Sequence, residues 1–110
     1  FGYQSRSFIA SCYIWDTHLE ETMNQCSVKY IQGEQYQRKP IAGVEGTAQF
    51  QRICHDLGER NHLGQSYLVR NVNFEPSLSS DRKWVKQALN GIAIAFQMKK
   101  PAIISSHRLN

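Results

Sequence analysis

Residues 6–33, RSFIASCYIWDTHLEETMNQCSVKYIQG, change their hydrophobic period twice, and that change decides the fold class. RSFIAS (6–11) is a short apolar run with strand character. In CYIWDTHLEETMNQC (12–26), Leu19, Met23 and Cys26 recur at i, i+4 and i+7, the spacing of one helix face. Thr17 followed three residues later by Glu20 has the form of a capping box at the helix start. SVKYIQG (27–33) returns to β-type residues and stops at Gly33. Strand, helix and strand in that order make a βαβ unit, whose strands run parallel through a right-handed crossover.

The same reading extends along the chain. Residues 33–46 turn to Gly, Gln, Pro and charge and read as a loop. Between 47 and 72, Gly58, Asn61 and Gly64 punctuate TAQFQRICHDLGERN, and a strand-like QSYLVRNV follows; the expectation is a hairpin inserted between α/β elements. SLSSDRKWVKQALNGIAIAFQMKKP (77–101) predicts the longest helix. Ser80 caps its start, Asp81 suits the first turn, and Val85, Leu89, Ile92 and Phe96 form one apolar face. Lys99 and Lys100 complement the C-terminal end of the helix dipole, Pro101 stops it, and AIIS (102–105) is a last strand. The fold class expected is α/β, with parallel strands and an inserted hairpin.

Composition narrows the function classes. The chain has 110 residues, 41% hydrophobic and 20% charged, which fits one globular domain rather than a disordered segment. Its longest uncharged apolar run, GIAIAF, is too short to span a bilayer. The net charge of +4 comes from basic residues scattered along the sequence, with no basic-aromatic stripe, so no nucleic-acid partner is expected. Cys12, Cys26 and Cys54 are odd in number and lack CxxC spacing, which argues against a disulfide framework. The chain opens on Phe and ends just after a strand-like run, so it reads as part of a longer protein.

In βα architectures the residues that follow each parallel strand gather on one face, where active sites are built. After the first strand come Ser11, Cys12, Tyr13, Trp15 and Asp16. Gln32 and Glu34 follow the second, and His107, Arg108 and Asn110 follow the last. His107 can act as general acid or base near neutral pH, while Tyr13 or Arg108 can polarise a carbonyl or an oxyanion. Tyr13 and Trp15 offer a stacking wall for a sugar ring, or pack the helix onto the strand. Cys12 has the position of a nucleophile, but a small buried residue is the expected role. Arg70, Asn71, Asn73 and Glu75, at the end of a strand-like run, bring polar density to the rim or form a turn. Cys54, His55 and His62 lack the number and spacing of a zinc site. No P-loop, GxSxG, HExxH or GxGxxG is present.

The order of these elements, together with SFIASCYIW (7–15), GQSYLVRNVNFEPSL (64–78) and KPAIISSHRLN (100–110), resembles the later half of polysaccharide deacetylases of the NodB-like type, in an uncharacterised bacterial branch. That resemblance implies a partial (β/α) barrel, residues 1–110 being its C-terminal portion and 47–72 an insert. It implies a hydrolase that removes N- or O-acetyl groups from a polysaccharide or oligosaccharide, with a divalent metal, usually zinc, held by an Asp and two His. His107 matches the late-strand catalytic acid, and Tyr13 matches the tyrosine of an Arg-x-Pro-Tyr motif whose backbone helps form the oxyanion hole. Trp15, Arg108, Arg70, Asn71 and Glu75 are the substrate-binding candidates.

The match departs from the family in two places. Ala10, Ser11 and Cys12 stand where Arg and Pro are the rule, and the metal-binding Asp-Asp strand and His-x-x-x-His motif do not occur. The metal is therefore expected only in a longer parent, this piece alone is expected to be inactive, and the cell envelope or the exterior is the location the family implies. The alternative on the same fold is a non-catalytic glycan-binding domain.

Overall fold

A computed structural model describes residues 2–42, 48–76 and 83–106 of the chain. The chain divides into two compact units, Phe1–Val69 and Arg70–Asn110. The class is mixed α/β, with parallel strands and two α-helices, and no barrel closes among the described residues. No described helix is long and apolar enough to cross a membrane.

The first unit is built on the expected strand–helix–strand core. Strand β1 (Ser7–Ile9) leads through a short 3-10 turn (Ser11–Tyr13) to helix α1 (Leu19–Gln25), and the chain returns as β2 (Tyr30–Gly33). β1 and β2 pair in parallel, with Phe8 opposite Ile31. A third strand, β5 (Ser66–Val69), joins the far side of β2, also in parallel, to give the order β1-β2-β5. Residues 58–60 run along the outer edge of β5, where Gly58 N–H donates to the Tyr67 carbonyl and Tyr67 N–H to that of Glu59. That cover matters because an unpaired strand edge is a template for aggregation.

Met23 from α1, Ile31 and Tyr67 from the sheet, and Ala10, Trp15 and Val28 from the connections form the core. The start of α1 differs from the expected capping box. Asp16 Oδ1 accepts from the His18 N–H at 2.9 Å, whereas the Glu20 side chain turns inward and is fully buried. Of the predicted face only Met23 is buried; Leu19 and Cys26 are exposed. A seven-residue helix contributes a single residue to this small core, and the turns around it supply the rest.

The region expected to be a loop holds a strand. β3 (Tyr36–Ile41) pairs antiparallel with β4 (Gln49–Cys54), from Tyr36 opposite Cys54 to Ile41 opposite Gln49. The hairpin thus begins ahead of residue 47, and SYLV, expected within the insert, belongs to the parallel sheet instead. The polar sequence of β3, with Pro40 inside it, hides a strand exposed along much of its length, because such a strand needs no apolar alternation.

The second unit holds β6 (Val72–Asn73), α2 (Lys83–Gln97) and β7 (Ile104–Ser105), with β6 and β7 parallel. The long helix forms as predicted, but its packed face is another one. Ala88 and Ala95 are buried and Gly91 lies against Val72, whereas Val85, Leu89 and Phe96 are exposed and Ile92 is half-buried. Small residues let the helix approach β6 closely, which the bulky stripe cannot do. Ser80 and Asp81 lie outside the described residues.

Candidate functional site

Because β1, β2 and β5 are parallel, the segments that leave their carboxyl ends share one end of the sheet. The turn after β1 is backbone-strained: Cys12 and Tyr13, at φ 51° and 58°, both sit in the left-handed region that L-residues avoid. The Cys12 thiol is exposed rather than buried, 3.9 Å from Ser11 Oγ. The Tyr13 ring is half-buried and lies over Gly33 at the end of β2; a Cβ added at Gly33 would sit 3.8 Å from Tyr13 Cδ1 and 3.8 Å from Trp15 Cη2. The Tyr13 N–H donates to the Ala10 carbonyl at 3.1 Å, so this amide is engaged within its own turn.

Trp15 is 3% exposed and belongs to the core, with its indole N–H on Glu20 Oε1 at 3.0 Å. A ring so placed packs the turn onto the sheet and presents no wall to a sugar. In the second unit, Arg70 Nη1 donates to Ser105 Oγ at 3.2 Å. Asn71 accepts from the Ile103 N–H and donates to the Pro101 carbonyl, which ties β6 to the segment before β7. Glu75 is buried. His107, Arg108 and Asn110 lie outside the described residues.

Beneath the Tyr13 turn lies a polar network that the sequence reading missed. Glu20 accepts from Trp15 Nε1, from Asn61 Nδ2 at 2.8 Å and from the Tyr67 hydroxyl. Three donors around an acceptor-only group are what a buried carboxylate requires. Gln37 Nε2 donates to the Trp15 carbonyl at 2.9 Å, and Gln37 Oε1 meets His55 Nε2 at 2.8 Å. Since Gln37 Oε1 can only accept, His55 carries its proton on Nε2 and turns an unprotonated Nδ1 towards Glu59 Oε2, 3.9 Å away. The imidazole stacks on Tyr67, ring centroids 3.7 Å apart, and burial holds its pKa below the usual histidine value against the opposing pull of Glu59 and Glu20.

Strand parity could have placed His55: it continues β4 on the side of Ile53, opposite Gln37, the inward face of the hairpin. Cys54 and His62, its neighbours in the weak zinc reading, are both exposed. Among the described residues no three His, Cys, Asp or Glu side chains converge as a metal site. The described residues offer no set that fits a metal, and no chemistry is derived through one.

Comparison with protein-family models, with curated proteins and with solved structures finds no match to the chain.

Proposed function

We propose that the chain is part of a glycan-acting α/β hydrolase of the polysaccharide deacetylase kind, and that the end of its β1-β2-β5 sheet forms one side of the catalytic rim. The observation that carries this reading is the strained turn at the carboxyl end of β1, which sets Tyr13 against Gly33 at the end of the neighbouring parallel strand. Strain of this kind persists where surrounding structure over-determines it, as at functional turns. In the reaction, water adds to the acetyl carbonyl, and the tetrahedral intermediate expels the sugar amine or alcohol as that leaving group takes a proton. The resemblance gives Tyr13 the oxyanion role and His107 that of proton donor. With its amide engaged by Ala10, Tyr13 serves through its ring and phenol unless the turn rearranges. The metal of this chemistry would have to be held by residues outside the described ones, in the longer parent.

Acetate release from an acetylated glycan by the longer parent, with and without His107→Ala, tests the reading. A large loss of rate with little change in affinity supports it; unchanged rate and affinity overturn the catalytic role. A second reading, a glycan-binding domain that cuts no bond, is favoured by the exposed rings of Tyr36 and Phe50 on the hairpin. It predicts glycan retention by the chain with no acetate released by the parent.

A further inference from the structure

The β3–β4 register sorts the hairpin's side chains into two faces, since directly opposed residues share a face and faces alternate along a strand. Gln37 and Ile53, Lys39 and Gln51, and Ile41 and Gln49 lie on one face. Tyr36 and Cys54, Arg38 and Arg52, and Pro40 and Phe50 lie on the other. The first face begins at the buried Gln37 and looks inward there. All six residues of the second are exposed, Tyr36 at 46% and Phe50 at 41%.

This outer face is a basic-aromatic stripe that the linear sequence conceals, because half of it comes from each strand. Arg38 and Arg52 stand directly opposite one another, a like-charge pair that costs stability in a sheet. Neither β3 nor β4 contains an acidic residue. Among the described residues neither guanidinium has a carboxylate partner, and the Arg52 guanidinium lies over the Tyr36 ring, 5.8 Å from its centroid. An anion placed between the two arginines would remove their repulsion and accept charge-assisted, bidentate hydrogen bonds. Rings flank that point on either side: Tyr36 and Phe50 are four residues apart in register, about 13 Å along the ribbon. The ribbon is tied to the proposed rim, as Arg38 bridges Ile14 through the backbone and Gln37 holds the Trp15 carbonyl, both beside Tyr13.

We propose that this face binds an acidic polysaccharide, a chain of sugars bearing carboxylates at intervals, with one carboxylate between Arg38 and Arg52 and flanking sugars stacked on Tyr36 and Phe50. The proposal rests on the glycan reading above and names the class of glycan. Charge spacing favours this occupant over single-stranded nucleic acid. A nucleic acid carries a phosphate at every nucleotide and is held by a groove whose cations track that backbone. Here one locus of positive charge sits between two neutral rings, and the remaining cation of the ribbon, Lys39, is on the opposite face.

The test measures binding of the chain to hyaluronate, which carries a carboxylate on every second sugar, to its methyl ester, to a neutral glucan and to polyuridylate, by calorimetry or affinity electrophoresis. Hyaluronate should bind most tightly, with the methyl ester about tenfold weaker as expected for loss of one charge-assisted contact. Arg38→Gln with Arg52→Gln should cost about tenfold or more on the same basis, and Tyr36→Ala or Phe50→Ala several-fold. The arginine variant removes a repulsive pair, so its unfolding midpoint should hold or rise, which separates lost binding from lost folding. Equal binding of the acid and its ester, or an arginine variant that binds like the wild type, overturns the acidic-glycan inference while leaving the glycan reading intact. Retention of none of the three glycans by the folded chain overturns both. Tighter binding of polyuridylate than of hyaluronate overturns the choice of occupant.

Discussion

The Tyr67 hydroxyl lies 3.0 Å and 3.1 Å from the two carboxylate oxygens of Glu20, joining residues 47 positions apart. Trp15 and Asn61 complete the set of donors, so one carboxylate links α1, β5, the turn after β1 and the segment that covers the β5 edge. Burial, and then the Glu20 charge, push the Tyr67 phenol well above its usual range, which favours the protonated donor. Glu20→Gln replaces an acceptor-only group by one whose amide opposes a ring of donors. Its expected cost is about 2–4 kcal/mol, and that of Tyr67→Phe about 1.5–3 kcal/mol, as for lost bonds to a buried charged group. Urea midpoints measure both; a Glu20→Gln variant as stable as the wild type would show that the carboxylate is dispensable.

His55 makes stability depend on pH. Its pKa is lowered in the folded protein from the ordinary 6.5, chiefly by burial. As pH falls through about 6.5 the unfolded chain takes up a proton that the folded chain refuses, so unfolding is favoured. Stability from this group is complete above 6.5 and declines as pH falls below it, until the folded-state value is reached. In His55→Gln that part of the slope should vanish, leaving a flatter profile between neutral pH and the carboxylate range. An unchanged profile would mean that His55 titrates alike in both states.

The legibility of this fold follows from burial. β1, α1 and β2 were readable because two short runs of β-type apolar residues flank a stretch with helical spacing, and turn residues bound them. β3 was not, since YQRKPI buries only Gln37 and a strand exposed on its outer face imposes no pattern. Glu20 was misread because a carboxylate three residues after a threonine is also the form of a capping box, and only tertiary contacts decide which role it takes. The place of Tyr13 after the carboxyl end of β1 followed from the βα rule. The Arg38–Arg52 pair did not, because opposition across a hairpin is set by register and not by sequence proximity.

Both helices end in the same left-handed device, each on a residue other than glycine. Val28 N–H bonds the Met23 carbonyl and Ser27 N–H that of Asn24; Lys100 bonds Ala95 and Lys99 bonds Phe96 in the same pattern. These are Schellman turns with Ser27 at φ 64° and Lys99 at φ 56° in the position that glycine fills at least cost. Relief of the left-handed penalty exceeds the added entropy of an unfolded glycine, so Ser27→Gly and Lys99→Gly should each stabilise by about 0.5–1 kcal/mol. A higher urea midpoint for each variant is the expected observation. A lower one would mean that the side chain contributes more than the strain it causes.

The packing of α2 on β6 sets two further substitutions against each other. A Cβ added at Gly91 would meet Val72 Cγ2 at 3.3 Å and Cγ1 at 3.5 Å, so the helix approaches β6 as closely as a glycine permits. Gly91→Leu drives a branched side chain into that contact and should destabilise the protein by about 1–3 kcal/mol, the range of overpacking, despite its gain in helix propensity. Leu89, 60% exposed, sits on the stripe that periodicity marks as the core face. Leu89→Lys should change stability by no more than about 0.5 kcal/mol, as at an ordinary surface site. Urea unfolding of the two variants side by side decides which face of the helix packs. A tolerated Gly91→Leu together with a damaging Leu89→Lys would reverse the assignment, because the bulky stripe would then be the one that is covered.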